Sequence, residues 1–87
     1  MRRINERMEY VRVDSLIITN EHLNQENVRR LTDELRSDQE IQHHSGFIRV
    51  REIDSKLYVN DGNHFVSACK ILGIPTVLAY IYELNDE

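Results

Sequence analysis

A chain of 87 residues, 40% of them apolar, has room for one small domain; it is too apolar to be disordered and lacks the run of roughly 20 apolar residues that a membrane span requires. Fifteen acidic against eleven basic side chains leave a net charge of −4, which opposes adhesion of nucleic acid to the surface as a whole and confines any such contact to a local basic patch. The single cysteine, Cys69, excludes an internal disulfide and has no CxxC partner for zinc or redox chemistry, so packing alone must hold the fold.

Residues 1–8 are basic but are not followed by an apolar h-region with a small-residue cleavage site, so they read as an N-terminal arm of a cytoplasmic protein rather than a secretory signal. The domain proper is expected over residues 9–83, with residues 84–87 as an acidic tail. Alternation from Tyr10 to Val13 predicts a first strand, broken by Asp14-Ser15. Leu16-Ile17-Ile18 is a short apolar run compatible with a strand or a single turn.

From Asn24 the period changes. Asn24 is a capping residue, Glu26 falls in the first turn where the helix dipole favours negative charge, and Val28, Leu31 and Leu35 recur at i, i+3 and i+7, predicting a helix to about Arg36. Residues 37–45 hold one apolar side chain and read as a loop carrying His43 and His44. Adjacent histidines do not share a helix face, and no third ligand stands at a metal-like spacing, so they are expected as exposed or site-edge imidazoles, not metal ligands. Phe47–Ile53 and Leu57–Val59, joined by Asp54-Ser55-Lys56, predict an antiparallel hairpin with Arg49 and Arg51 on the face opposite Ile48 and Val50. That arginine pair is a candidate nucleic-acid or site-edge contact, as are Arg2, Arg3, Arg7 and the Arg29-Arg30 pair; the alternative is that all are solvated charges balancing nearby acids.

Residues 57–73 are where any chemistry is expected. A strand runs through Asp61-Gly62-Asn63-His64 into a helix whose apolar stripe is Phe65, Ala68, Cys69 and Leu72, ended by Gly73 and Pro75. The first N–H groups of such a helix have no intrahelical partner and form an anion site. Gly62 permits a turn at positive φ and a close ligand approach. Asn63 suits either an amide donor to an anion or an N-cap; His64 a phosphate contact, a general acid or base, or a cap; Asp61 a Mg²⁺ ligand, an orienting partner of His64, or a turn former. Asp61 and His64 are thus the catalytic candidates. Cys69, on the buried stripe, is expected to be inert. Thr76–Tyr82 predicts a last strand.

The order of these elements, together with Leu57-Tyr58-Val59-Asn60-Asp61-Gly62-Asn63-His64-Phe65, Ala68 and Leu72-Gly73, resembles the ParB/sulfiredoxin-like domain over roughly residues 9–83. The resemblance implies an α+β fold, a small mixed sheet with two or three helices. It also implies a phosphate-binding or nucleotide-binding turn at Asp61, Gly62, Asn63 and His64 that would take ATP, ADP or CTP with Mg²⁺ in a DNA-related process such as plasmid, phage or chromosome maintenance. Members of that family include partition proteins that bind and hydrolyse CTP, proteins described as nucleases, sulfiredoxins and a free-serine kinase, so the resemblance leaves any enzymatic activity open. Two departures stand out. Phe65 occupies the place of the family's box arginine, removing a cationic fork for phosphate, and Asn63 occupies the place of the sulfiredoxin cysteine, which argues against that activity. Alternative readings are a protein-interaction or regulatory module with a degenerate nucleotide site, self-associating or docking a protein through the hairpin and its Arg49/Arg51 face, and a metal-dependent nuclease using Asp61, His64 and one of His43 and His44.

Overall fold

The computed structural model describes residues 1–19, 23–37 and 47–85. In chain order the elements are β1 (Arg2–Arg12), a single 3-10 turn (Val13–Ser15), β2 (Leu16–Ile17), α1 (Gln25–Ser37), β3 (Ile48–Ile53), β4 (Lys56–Asp61), α2 (Asn63–Leu72) and β5 (Thr76–Asn85). The strands form one mixed sheet in the order β1-β5-β3-β4-β2. β1 runs antiparallel to β5, β5 parallel to β3, β3 antiparallel to β4 and β4 parallel to β2.

Each element follows from local chemistry. The β3–β4 hairpin turns on Asp54 and Ser55, both at positive φ (51° and 66°), the conformation of a two-residue turn whose twist matches its strands. α1 is capped by Asn24, whose Oδ1 accepts from the N–H groups of Glu26 (2.9 Å) and Asn27 (3.3 Å). α2 closes with Gly73 at φ 71°; Ile74 N–H donates to the Cys69 carbonyl at 3.0 Å and Gly73 N–H to that of Lys70 at 3.3 Å, the paired bonds of a Schellman ending.

Both helices cover one face of the sheet. Leu35 from α1 and Val66, Ala68 and Cys69 from α2 join Ile48, Val50, Val59, Ala79 and Ile81 in a single buried cluster. The 13-residue α1 and the predicted hairpin match expectation closely.

The N-terminus differs. Residues 2–8, expected as an arm, are the first part of β1, and Leu84 and Asn85, expected in a tail, end β5; Arg2 pairs with Asn85 and Arg3 with Leu84. This ribbon extends past the helices, so it carries no apolar face for the sequence to reveal, and backbone pairing between the two strands sustains it. A bulge between Ile4 and Arg7, with Asn5 at φ 52°, shifts its register. Among the described residues, no helix is long and apolar enough to cross a membrane.

Candidate functional site

The strand-to-helix turn is set by one residue. Gly62 stands at φ 107° as the N-cap of α2, and a Cβ built on it would lie 2.6 Å from Ile48 Cγ2. The turn therefore folds down onto β3 in a conformation that only glycine adopts without strain. Gly62 has no side chain with which to cap, and the first turn of α2 contains no acidic residue. The N–H groups of Asn63, His64 and Phe65 thus begin the helix with no intrahelical acceptor, at the positive end of its dipole.

The side chains beside them are engaged within the protein. Asn63 is the first helical residue, not the cap. Its Oδ1 accepts from the backbone N–H of Thr19 at 3.0 Å and its Nδ2 donates to Thr19 Oγ1 at 3.4 Å, while the Thr19 hydroxyl donates to the Val59 carbonyl at 2.6 Å. His64 Nε2 accepts from the backbone N–H of Asn24 at 3.1 Å, which requires that nitrogen to be unprotonated and leaves Nδ1 to carry the proton. Two side chains of the turn thereby tie in the segment after β2 and the start of α1. The N-terminal ends of α1 and α2 are brought together, and Thr19 and Asn24 become part of the site's wall. Sequence reading found Asn24 only as a helix cap and missed Thr19. No local signal marks a residue whose partners lie 40 and 44 positions away.

Asp61 ends β4, exposed, and is the register partner of Arg49 across a bulge. Arg51 lies farther along β3, opposite Tyr58 and Tyr82. The structure thus gathers Asp61, Gly62, Asn63, His64 and Arg49 at one end of the sheet and leaves Arg51 outside. His43 and His44 lie outside the described residues. Phe65 is half-buried against the core, the behaviour expected of an apolar ring in place of a cationic fork.

Among the described residues, no group of three or more His, Cys, Asp or Glu side chains could hold a metal ion. Asp61 alone offers too few oxygens for a protein-only Mg²⁺ site; a cation there would need phosphate oxygens and water as its other ligands. Cys69 is fully buried, and burial pushes its thiol up to about 11, so it supplies no nucleophile. A groove of about 710 Å³ lies at the far end of α2, lined by Arg12, Asp14, Lys70, Gly73 and Pro75 among others. The carbonyl end of a helix faces anions unfavourably, and Lys70 there already donates to the Leu16 carbonyl at 3.2 Å.

No family model matches the chain, and no curated protein matches it. Solved structures do. A sulfiredoxin from Arabidopsis thaliana superposes with a TM-score of 0.69 at 23% identity, over 90% of this chain and 86% of that one. A C-terminally truncated chromosome-partitioning protein ParB from Caulobacter crescentus, complexed with CTP-gamma-S, gives 0.70 at 17% identity, over 91% of this chain and 46% of its own. A free serine kinase in complex with AMP gives 0.67 at 15% identity, over 85% and 30% respectively. The chain spans most of the sulfiredoxin but less than half of the partition protein and of the kinase.

Proposed function

We propose that this chain, which has the ParB/sulfiredoxin-like fold, is a nucleotide-binding domain that receives phosphate at the turn from Asp61 to His64. The observation that carries the reading is the start of α2: a glycine cap pressed onto Ile48, a first turn free of acids, and backbone N–H groups with no acceptor among the described residues at the positive end of the helix. Two solved structures of the same fold support it, the one holding CTP-gamma-S and the other AMP.

In this reading the N–H groups of Asn63, His64 and Phe65 donate to phosphate oxygens, and His64 offers Nδ1–H as a further donor. Mg²⁺ enters only with the phosphates, with Asp61 as its protein ligand. Binding is proposed ahead of catalysis, supported by the helix N-terminus; among the described residues, no group of three or more His, Cys, Asp or Glu side chains could hold a metal ion. A role in a DNA-related process is part of the same proposal and rests on the partition protein alone.

Calorimetry with ATP, ADP and CTP plus Mg²⁺, paired with amide NMR, tests it. The expected result is saturable binding of at least one nucleotide with the largest shifts at the amides of Asn63, His64 and Phe65, and an affinity raised about tenfold in Phe65→Arg through a charge-assisted contact. Absence of binding, with Asn63→Ala and His64→Ala altering stability alone, refutes it. That second outcome has a motive in the structure: Asn63 and His64 are already bonded to Thr19 and Asn24, which is what a degenerate site kept as an interaction module would show.

A further inference from the structure

The helices leave the second face of the sheet uncovered, and its composition is unlike that of the protein as a whole. Alternation along the strands, taken with the burial of Val11, Val50, Val59, Ala79 and Ile81 toward the helices, sends all four tyrosines of the chain to this face: Tyr10 from β1, Tyr80 and Tyr82 from β5, and Tyr58 from β4. Phe47 precedes β3 on the same side, its ring 6.4 Å from that of Tyr80, and the rings of Tyr80 and Tyr82 are 5.7 Å apart. Tyr10 and Phe47 are 68% and 50% exposed.

The charges on this face run against the net charge of the molecule. Arg3, Arg49, Arg51 and Lys56 project there, against two acids: Glu6, whose carboxylate accepts from the Tyr80 hydroxyl, and Asp61, the register partner of Arg49; Arg12 at the rim is matched by Asp14 at 3.0 Å. In a chain of net charge −4, the uncovered face is positive. Arg3 lies over the Tyr82 ring at 4.6 Å and the Tyr80 ring at 5.7 Å. Arg51 Nε is buried without a hydrogen-bond partner among the described residues. Across the strands Tyr82, Arg51 and Tyr58 form one row, with the cation between two rings, and Met8, Tyr80, Arg49 and Asp61 form the next, about 6.6 Å away along the strand direction.

We infer that this face is a docking surface for single-stranded nucleic acid, with bases stacking on Tyr10, Phe47 and Tyr58 and phosphates meeting Arg49, Arg51 and Lys56. Rings stack only on bases that are unpaired, so a single strand uses the whole face where a duplex would use its cations alone. A second copy of the chain fits poorly, because a two-fold interface would set the same cations against one another. The inference is independent of the nucleotide site, which lies at the N-terminal start of α2, on the side of the sheet that the helices cover.

The test is fluorescence anisotropy of the full chain with labelled oligo(dT) and with a duplex of equal length, at low and at physiological salt. Expected are preferential binding of the single strand, weakening of about tenfold or more when Tyr10→Ala and Phe47→Ala are combined, and a salt dependence made shallower by Arg51→Gln and Lys56→Gln. Circular dichroism melting confirms that the variants fold, and unchanged free-nucleotide binding in them separates this face from the turn. Any of these results overturns the inference: no preference for the single strand; equal binding of polyglutamate that ignores the ring variants, which indicates an acidic protein partner; or dimerisation by light scattering that Tyr10→Ala abolishes. Loss of strand binding in Asn63→Ala, with the sheet variants silent, also overturns it.

Discussion

At the scale of single residues, burial decides what Cys69 and Gly62 do. Cys69 is sealed between α2 and the sheet, and desolvation raises its thiol to about 11 from an ordinary value of 9.0. Raised in the fold, this group contributes stability below pH 9, where both states hold the proton. The contribution is lost as pH rises toward 11, because the unfolded chain releases its proton first. A two-unit difference corresponds to about 2–3 kcal/mol. Urea unfolding below pH 9 and near pH 11 is therefore expected to show a fall of that order beyond the background slope. Cys69→Ala, less stable at every pH, is expected to lack the increment. At Gly62 the constraint is geometric, since positive φ and the approach of Ile48 together bar any larger residue. The glycine was legible in the sequence as a turn former; its contact with β3 was not, because Ile48 lies 14 positions earlier.

At the scale of elements, local chemistry accounts for most of what forms. Asn24 caps α1 through two backbone N–H groups, and Asn24→Ala is expected to lower stability by ~1 kcal/mol, with Asn24→Ser recovering most of it. The shift in urea midpoint measures both. The effect should extend beyond α1, because the N–H of Asn24 also holds His64, so fraying of the cap loosens the wall of the turn. The hairpin and α2 were equally readable from alternation, turn residues and the terminal glycine. β2 was not: two residues make a strand only because β4 lies alongside Leu16 and Ile17. Asn63 likewise looked like a cap and became a link to Thr19 once β2 delivered that residue to the turn.

At the scale of the whole molecule, the sheet has two regions of unequal support. Its body is backed by both helices, whereas the ribbon of Arg2–Ile4 with Glu83–Asn85 extends beyond them, and the molecule is 45 Å long against 26 and 18 Å across. Hydrogen exchange is expected to divide along that line, with ribbon amides exchanging at least roughly a hundredfold faster than those of Val77–Ile81, since fraying there exposes little apolar surface. Uniform protection along β5 would contradict it. The periodic elements, the glycine turn, the buried cysteine and the resemblance to the ParB/sulfiredoxin-like domain could be read along the chain, because each depends on residues close together in it. That residues 2–8 join the sheet, that Asn63 and His64 bond to Thr19 and Asn24, and that the tyrosines share one positive face emerged from the folded chain. Those facts depend on which strands become neighbours, and strand order is set by burying the helix-facing residues together, a property of the whole chain that no local pattern carries.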